Sequence, residues 1–354
     1  MTQITQEDLD RASEVLSWNK HLMSTLGLWP FRNNNLLFFI TFGYFSFLMM
    51  LEYLDLLLFI NDLEHVVINL TENMAFSQIL VRMIMLRLYN CQVGDVIAEV
   101  MKDFDKMCYK TTEEMKIVIT YNARSKIFVK LLVVSVALTA SSYFLTPIII
   151  ILGSGASCSC FYVILFCALG QTTADCIMVT LVFHICGQMS VLSMRITNIN
   201  TELLSCRREM RHAVQMHLRL LRMGNTIEKA FNITLLAHLL GTISLVCILG
   251  YQILTNISKG DIGVLVPFVI FQFLVLITLY ANCTVGENLL TESAKICEAF
   301  YKCHWYDMPM ENARMIVLCM VRSQKPLCLT AGKFTIFCLS TLTDVRQKVL
   351  KCSK

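Results

Sequence analysis

Cysteine and histidine are the residues of this 354-residue chain whose chemistry first suggests metal binding or catalysis, with 16 Cys and 7 His. His184 and Cys186 are two positions apart and His212 and His217 are five apart. Two zinc ligands on one helix face are instead separated by four positions. A phosphate-binding glycine loop, a nucleophile elbow and a pair of catalytic carboxylates are also absent from the sequence. We therefore expect no enzyme, no metal site and no cofactor.

Composition indicates an integral membrane protein. Hydrophobic residues make up 56% of the chain, charged residues 16%, and mean hydropathy is +0.60, whereas a soluble domain has about 25% charged residues. The first six of seven apolar stretches are long enough for a helix that crosses a bilayer, and the seventh is weaker. The stretches are 36–60, 66–89, 127–152, 161–191, 231–251, 262–285 and 329–350. Cysteines inside them, including Cys176, Cys186 and Cys283, should behave as small buried hydrophobes.

Positive charge alternates between the connections of these stretches. Lys and Arg number three before the first stretch and then none, six, none, seven, one and five in the successive connections. Because positive charge near span ends stays in the cytoplasm, we expect the N-terminus and the even-numbered connections to be cytoplasmic and the C-terminus to lie outside. Residues 1–30 are polar and acidic, so the first span is expected to direct insertion in place of a signal peptide. A G-protein-coupled receptor has the opposite orientation.

Charged residues inside apolar stretches are costly, so their positions are informative. Arg82 and Arg87 lie towards the cytoplasmic end of the second stretch, and Glu52 and Asp55 towards the outer end of the first. These side chains are expected to reach the membrane surface. Asp175 lies near the middle of the fourth stretch. We expect it to pair with another helix, or to face water or a ligand.

Two cytoplasmic connections have the pattern of helices. In 193–230 apolar residues recur near the helical period with arginines between them, and 286–328 repeats the pattern around a break at Pro309. These extensions would either assemble subunits or pack on their own subunit. The predicted order is a cytoplasmic segment (1–35), membrane helices one to four (36–192), the first extension (193–230), helices five and six (231–285), the second extension (286–328) and helix seven (329–354).

Several motifs resemble those of the insect odorant receptor family. They are Gly286-Glu287-Asn288-Leu289-Leu290, Ala299-Phe300-Tyr301, Trp305-Tyr306, Arg322-Ser323-Gln324-Lys325-Pro326, Leu329-Thr330-Ala331-Gly332-Lys333-Phe334 and His184-Ile185-Cys186-Gly187-Gln188. The resemblance covers essentially the whole chain. It implies an all-α membrane protein with seven transmembrane helices, a cytoplasmic N-terminus and cytoplasmic helical extensions that form an anchor domain.

The same resemblance implies function and partners. It points to an odorant-gated cation channel subunit that binds a small volatile ligand and acts with a common co-receptor subunit. The expected location is the dendrite plasma membrane of olfactory sensory neurons. The final helix, from Leu329, would line a shared pore, which suits its charged residues. The pore-lining candidates are Lys333, Phe337, Thr341, Asp344, Val345 and Lys348.

An odorant pocket is implied in the outer half of each subunit, among spans two, three, four and six. Depth from the predicted outer ends and side-chain type indicate the candidate residues. Burial and shape would hold an apolar volatile, and one or two polar groups would orient it. The candidates are Phe76, Tyr143, Phe144, Phe166, Cys167, Thr172, Phe268, Phe271 and Gln272. For each aromatic residue, ordinary packing within the bundle is the alternative interpretation.

Two features depart from the family pattern. The outer connection 153–160 is short where relatives have a long loop over the pocket. The tail 346–354 is charged where relatives have an apolar helix end, which indicates a truncated or divergent pore helix. Among four sequons, we expect Asn256 to be the most accessible to glycosylation. A gustatory receptor channel of the same superfamily is the alternative function, followed by a G-protein-coupled receptor.

Overall fold

The computed structural model describes residues 6–32, 34–151, 157–199, 203–259, 262–308 and 310–340. Long α-helices dominate these ranges. They are α1 (Gln6–Thr25), α2 (Asn35–Leu58), α3 (Leu63–Leu88), α4 (Asn90–Lys102), α5 (Thr112–Ile151), α6 (Ser157–Thr197), α7 (Leu203–Lys259), α8 (Ile262–Lys302) and α9 (Met310–Ser323). Single 3-10 turns at Lys106–Cys108 and Trp305–Asp307 and two short strands, β1 (Thr330–Ala331) and β2 (Thr335–Ile336), complete the order.

Four helical segments among the described residues are long and apolar enough to cross a membrane. They are Asn35–Leu58, Leu169–Thr197, Cys206–Ile257 and Phe268–Lys302. The outward face of α2 agrees with contact to lipid, since Leu36, Phe39, Leu57 and Leu58 are all exposed. The helix α3, which was predicted as a span, has charged residues among its apolar ones, including Glu72, Arg82 and Arg87.

The helix α6 lies at the centre of the bundle. It packs against α3, α5, α7 and α8, and from Thr172 to Met189 every side chain is buried. A helix that is apolar on all sides needs such surroundings, because it has no face to offer to water. The cysteines Cys176, Cys186 and Cys283 are buried free thiols, in agreement with the sequence interpretation.

The helix α7 is far longer than a bilayer requires. Its 57 residues span about 85 Å, against about 30 Å for the hydrocarbon core. The backbone continues without a break from the arginine-rich part into the apolar part. The placement of 193–230 on the cytoplasmic side of the membrane stays a prediction.

The prediction of a helix beginning at Leu329 is wrong. Residues 330–336 form an antiparallel hairpin in which Thr330 pairs with Ile336 and Ala331 with Thr335. The turn needs the left-handed backbone found at Gly332 and Lys333, with φ of 59° and 63°, which a helix does not allow. The backbone becomes helical again at Leu339. The hairpin therefore replaces about the first ten residues of the predicted pore helix.

The hairpin is held against α7 and α8. The Gly332 amide donates to the Asn232 carbonyl at 3.0 Å, and the Thr330 hydroxyl donates to Glu228 at 2.6 Å. On α8, a side chain at Gly286 would overlap the Phe337 carbonyl. This close approach explains why glycine occupies position 286.

Candidate functional site

A buried ion pair joins α3 and α6 in the middle of the bundle. Arg82 Nη1 lies 2.6 Å from Asp175 Oδ1, and the two side chains are 1% and 5% exposed. Of the alternatives left open for Asp175, the structure shows pairing with another helix. The expectation that Arg82 reaches the membrane surface is wrong. An unpaired buried carboxylate is costly, and Arg82 supplies the opposite charge from the neighbouring helix.

Two more helices contribute to this pair. Asn282 of α8 donates through Nδ2 to Asp175 Oδ1 at 3.4 Å. The same nitrogen lies 3.3 Å from Nδ1 of His238, on α7. All four side chains are buried. We call Arg82, Asp175, His238 and Asn282 the central cluster, because it links α3, α6, α7 and α8 at one level.

The central cluster is not fully hydrogen-bonded within the described part of the chain. Arg82 Nη1 has a further weak contact with the Gln171 carbonyl at 3.4 Å, but Arg82 Nε and Nη2 have no partner. Asn282 Oδ1 also has none. Leaving a buried polar group without a partner costs about 1–3 kcal/mol. The cluster thus retains two unused donors and one unused acceptor.

The pocket candidates are distributed over helices that pack around α6. Phe76 on α3 is half-buried against the core, and Thr172 on α6 is buried. Phe268, Phe271 and Gln272 on α8 are half-buried, and Gln272 Oε1 has no hydrogen-bond partner among the described residues. The side chains of four further candidates lie outside the described residues, so their place in a pocket stays a prediction. These are Tyr143, Phe144, Phe166 and Cys167.

Sequence reasoning missed a polar residue on α7. Gln252 is 4% exposed, and neither its amide oxygen nor its nitrogen has a partner in the described structure. The available signal was an amide at the outer end of an apolar stretch. The expected pocket spans, two, three, four and six, do not include α7.

The pore candidates divide into two groups. Lys333 is exposed at the hairpin turn, whereas Phe337 is fully buried within the subunit, which excludes it from an aqueous wall in this structure. Phe337 packs inward because its amide bonds the Leu329 carbonyl at 2.8 Å and closes the hairpin. The other four candidates lie outside the described residues: Thr341, Asp344, Val345 and Lys348.

A second, partly buried polar network lies around the connection between α4 and α5. Asp103 accepts hydrogen bonds at Oδ2 from Arg219 of α7 at 2.6 Å and pairs with His184 of α6 at 3.1 Å. Arg219 also binds Glu99 at 3.0 Å. Burial raises the pKa of Asp103, but the bonds and charges of His184 and Arg219 outweigh it, so this pKa lies below its usual value.

The other half of this network is a bidentate ion pair. Arg195 of α6 donates from Nε and Nη2 to the two oxygens of Glu114, at 2.8 and 2.6 Å. Its Nη2 also donates to the Cys108 carbonyl at 2.8 Å. Burial opposes ionisation of Glu114, but Arg195 and the Lys110 amide hold its pKa below the usual value. We call Glu99, Asp103, Glu114, His184, Arg195 and Arg219 the loop clamp.

An apolar stripe on α9 lacks a partner within the described protein surface. Met310, Leu318 and Val321 are 72%, 69% and 58% exposed, and Val317 is also exposed. Their spacing places them on one face of the helix. We call these four residues the α9 stripe.

The sequon at Asn256 lies in the last turns of α7 rather than in an open connection. Asn256 is half-buried, and its Nδ2 donates to the Gln252 carbonyl at 2.8 Å. The expectation of a loop at 252–261 is therefore wrong up to Lys259, because the helix continues to that residue. Glycosylation of Asn256 stays a prediction.

The family model and the individual relatives that this chain matches are all odorant receptors or their coreceptors. Residues 156–349 match a family described as 7tm Odorant receptor. Odorant receptor 13a of Drosophila melanogaster is 28% identical over 48% of this chain and 45% of its own length. The odorant receptor coreceptor of Harpegnathos saltator is 26% identical over 41% of this chain and 30% of its own. These matches thus span less than half of each relative.

The fold is shared over nearly the whole chain with a solved structure. The insect olfactory receptor OR5 from Machilis hrabei, in complex with eugenol, superposes with a TM-score of 0.82 and covers 96% of this chain and 97% of its own. Its sequence identity is 14%, so this likeness establishes the fold. The predicted helical membrane-type fold is confirmed. Since the family match extends over more than half of the chain, the protein belongs to the 7tm odorant receptor family.

Proposed function

We propose that this chain is the odorant-binding subunit of a ligand-gated cation channel that acts with a co-receptor subunit. The observation that carries the proposal is the family match, joined to a fold shared over almost the entire chain with a receptor solved with eugenol. The similarity to odorant receptor coreceptors of several insects supports assembly with such a subunit. The cellular location would be the plasma membrane of an olfactory dendrite.

The ligand pocket is assigned to the outer half of the bundle, between α3, α5, α6 and α8. Half-buried aromatic side chains such as Phe76 and Phe271 offer apolar surface, and Gln272 offers an unpaired oxygen. A pocket of this composition holds a small volatile by burial, with few polar contacts. Removing apolar surface from water contributes about 25 cal/mol per Å².

Subunit contacts are assigned to the α9 stripe and the neighbouring ends of α7 and α8. An exposed apolar stripe on a charged helix is typical of a surface that another protein covers. The basic lower parts of these helices would lie in the cytoplasm, with the N-terminus on the same side. The pore wall would be formed by the segment that follows Leu339, with the hairpin as its support.

Co-expression with an insect co-receptor in a cell line tests the function. A panel of volatiles is expected to evoke a cation current that persists in excised membrane and under a blocker of G-protein exchange. The Phe271→Ala variant is expected to change the rank order of ligands at equal surface level. A current abolished by the blocker and absent from excised membrane would instead support the G-protein-coupled alternative.

A further inference from the structure

The central cluster has an incomplete set of hydrogen bonds whose chemistry can be matched to a ligand. Arg82 contributes two donor nitrogens without a partner, Nε and Nη2, and Asn282 contributes an unused amide oxygen. Both side chains bond the same atom, Asp175 Oδ1, so they approach each other from two helices. Arg82 is 1% exposed and Asn282 is fully buried.

The position of the cluster suits the floor of the proposed pocket. Thr172 precedes Asp175 by three residues on α6, about 4.5 Å of helix rise, and Phe76 precedes Arg82 by six residues on α3, about 9 Å. Both candidates therefore lie on the outer side of the cluster. A ligand that enters among them meets the cluster at its inner end.

Charge balance limits which ligands can bind at the central cluster. Asp175 already neutralises Arg82 at 2.6 Å. A carboxylate ligand would add a second negative charge to a buried site and leave it without a counter-charge, which is strongly unfavourable. A hydrocarbon would leave the donors and the acceptor unpaired. The remaining chemistry is a neutral group that accepts from Arg82 and donates to Asn282.

We propose that the central cluster binds a hydroxyl group, and that the ligands of this subunit are neutral volatile alcohols. The hydroxyl oxygen accepts from Arg82 Nε or Nη2, and its hydrogen is donated to Asn282 Oδ1. Without odorant, a water molecule has the same hydroxyl chemistry and fills the same role. Because protein atoms cover the three groups, the ligand reaches them by displacing neighbouring side chains. This inference rests on the proposed function.

The test compares matched probes on the full chain co-expressed with a co-receptor. The probes are straight-chain primary alcohols, their methyl ethers, and alkanes and carboxylic acids of equal chain length. An ether accepts a hydrogen bond but donates none. Alcohols are expected to be about tenfold more potent than the ethers, since one hydrogen bond and one unpaired acceptor separate them. Carboxylic acids are expected to be weaker than alcohols when ionised.

The variant Asn282→Leu removes the acceptor with little change in volume. We expect the alcohol-to-ether potency ratio to fall towards one. The matched control is Thr278→Val, one turn away on α8, because Thr278 is buried but bonds only the Leu274 carbonyl of its own helix. The control is expected to keep the wild-type ratio. Surface labelling corrects both variants for expression.

Two outcomes overturn the inference. One is equal potency of alcohols and ethers on the wild-type chain, which would assign the cluster to water alone. The other is a wild-type ratio retained by Asn282→Leu. If that variant does not reach the surface, the wild-type ratio decides. If alkanes and ethers evoke currents and alcohols are no more potent, only this inference fails. If no volatile evokes a current, the proposed function is rejected and the inference with it.

Discussion

The central cluster is buried and the loop clamp only partly so, since its Arg219 and Glu99 side chains are 35% and 33% exposed. The two groups also use their charges differently. In the loop clamp, Asp103 is paired with both His184 and Arg219, and Arg195 bonds both oxygens of Glu114. One buried ring nitrogen of the clamp, His184 Nδ1, has no partner among the described residues. In the central cluster, Arg82 has one short bond and two unused nitrogens. The loop clamp pairs its carboxylates, whereas the Arg82 guanidinium keeps two nitrogens without a partner. An unpaired buried donor can bond a ligand, and the ligand site proposed above rests on this difference.

The largest expected effect comes from breaking the central cluster. Asp175→Leu leaves the Arg82 guanidinium buried without a counter-charge, at a cost of about 3–5 kcal/mol in the free energy of unfolding. We expect a large loss of surface expression and of thermal stability in detergent. The double variant Arg82→Met with Asp175→Leu is expected to recover most of the loss, since two apolar side chains leave no charge. Equal stability of the single variant and the wild type would contradict this role.

A pH titration can distinguish the loop clamp from His217 of α7, which belongs to neither cluster. Burial, with the charge of Arg322, lowers the pKa of His217 on α7 to about 4. Because the folded pKa lies below the usual value near 6.5, the contribution of His217 is complete above pH 6.5 and is lost as pH falls towards 4. We expect a loss of up to about 3 kcal/mol over this window by thermal unfolding.

The variant His217→Phe should remove that pH dependence. The pKa values of the clamp carboxylates Asp103 and Glu114 are lowered by their bonds to His184, Arg219 and Arg195. Their stabilisation is complete above the usual carboxylate pKa and is lost as pH falls through the lowered values. An unchanged slope between pH 6.5 and 4 in His217→Phe would assign the titration to another group.

A smaller effect is expected from loosening the loop clamp. Glu114→Gln removes the charged bidentate partner of Arg195 and is expected to cost about 1–3 kcal/mol. The opening should be local, so amide hydrogen exchange should speed up around 103–111. The neighbouring Glu113→Gln is the matched control, because Glu113 is exposed in the same turn of α5. Equal exchange in the two variants would show that the clamp does not hold this connection.

The confirmed sequence predictions are the helical membrane-type fold and the family, and both depend on composition and motifs along the chain. Of the six long apolar stretches predicted as membrane helices, four correspond to described helical segments that are long and apolar enough to cross a membrane. The apolarity of the fourth stretch agrees with α6 at the centre of the bundle. The motifs of the C-terminal half predicted the family. The hairpin was missed, although a Gly within Leu329-Thr330-Ala331-Gly332 was an available signal for a turn. Hydropathy averaged over a window cannot distinguish a short buried hairpin from a weak helix.

The sequence by itself determined that the chain is a helical membrane protein of this family, because apolar length, charge distribution and motifs are local properties. Only the tertiary structure decided that Arg82 pairs with Asp175, a residue 93 positions away, and that Asn282 and His238 join them. A charge near a span end has two favourable solutions, the membrane surface or a buried partner. Which one is adopted depends on the rotation and depth of neighbouring helices, and these follow from packing over the whole bundle.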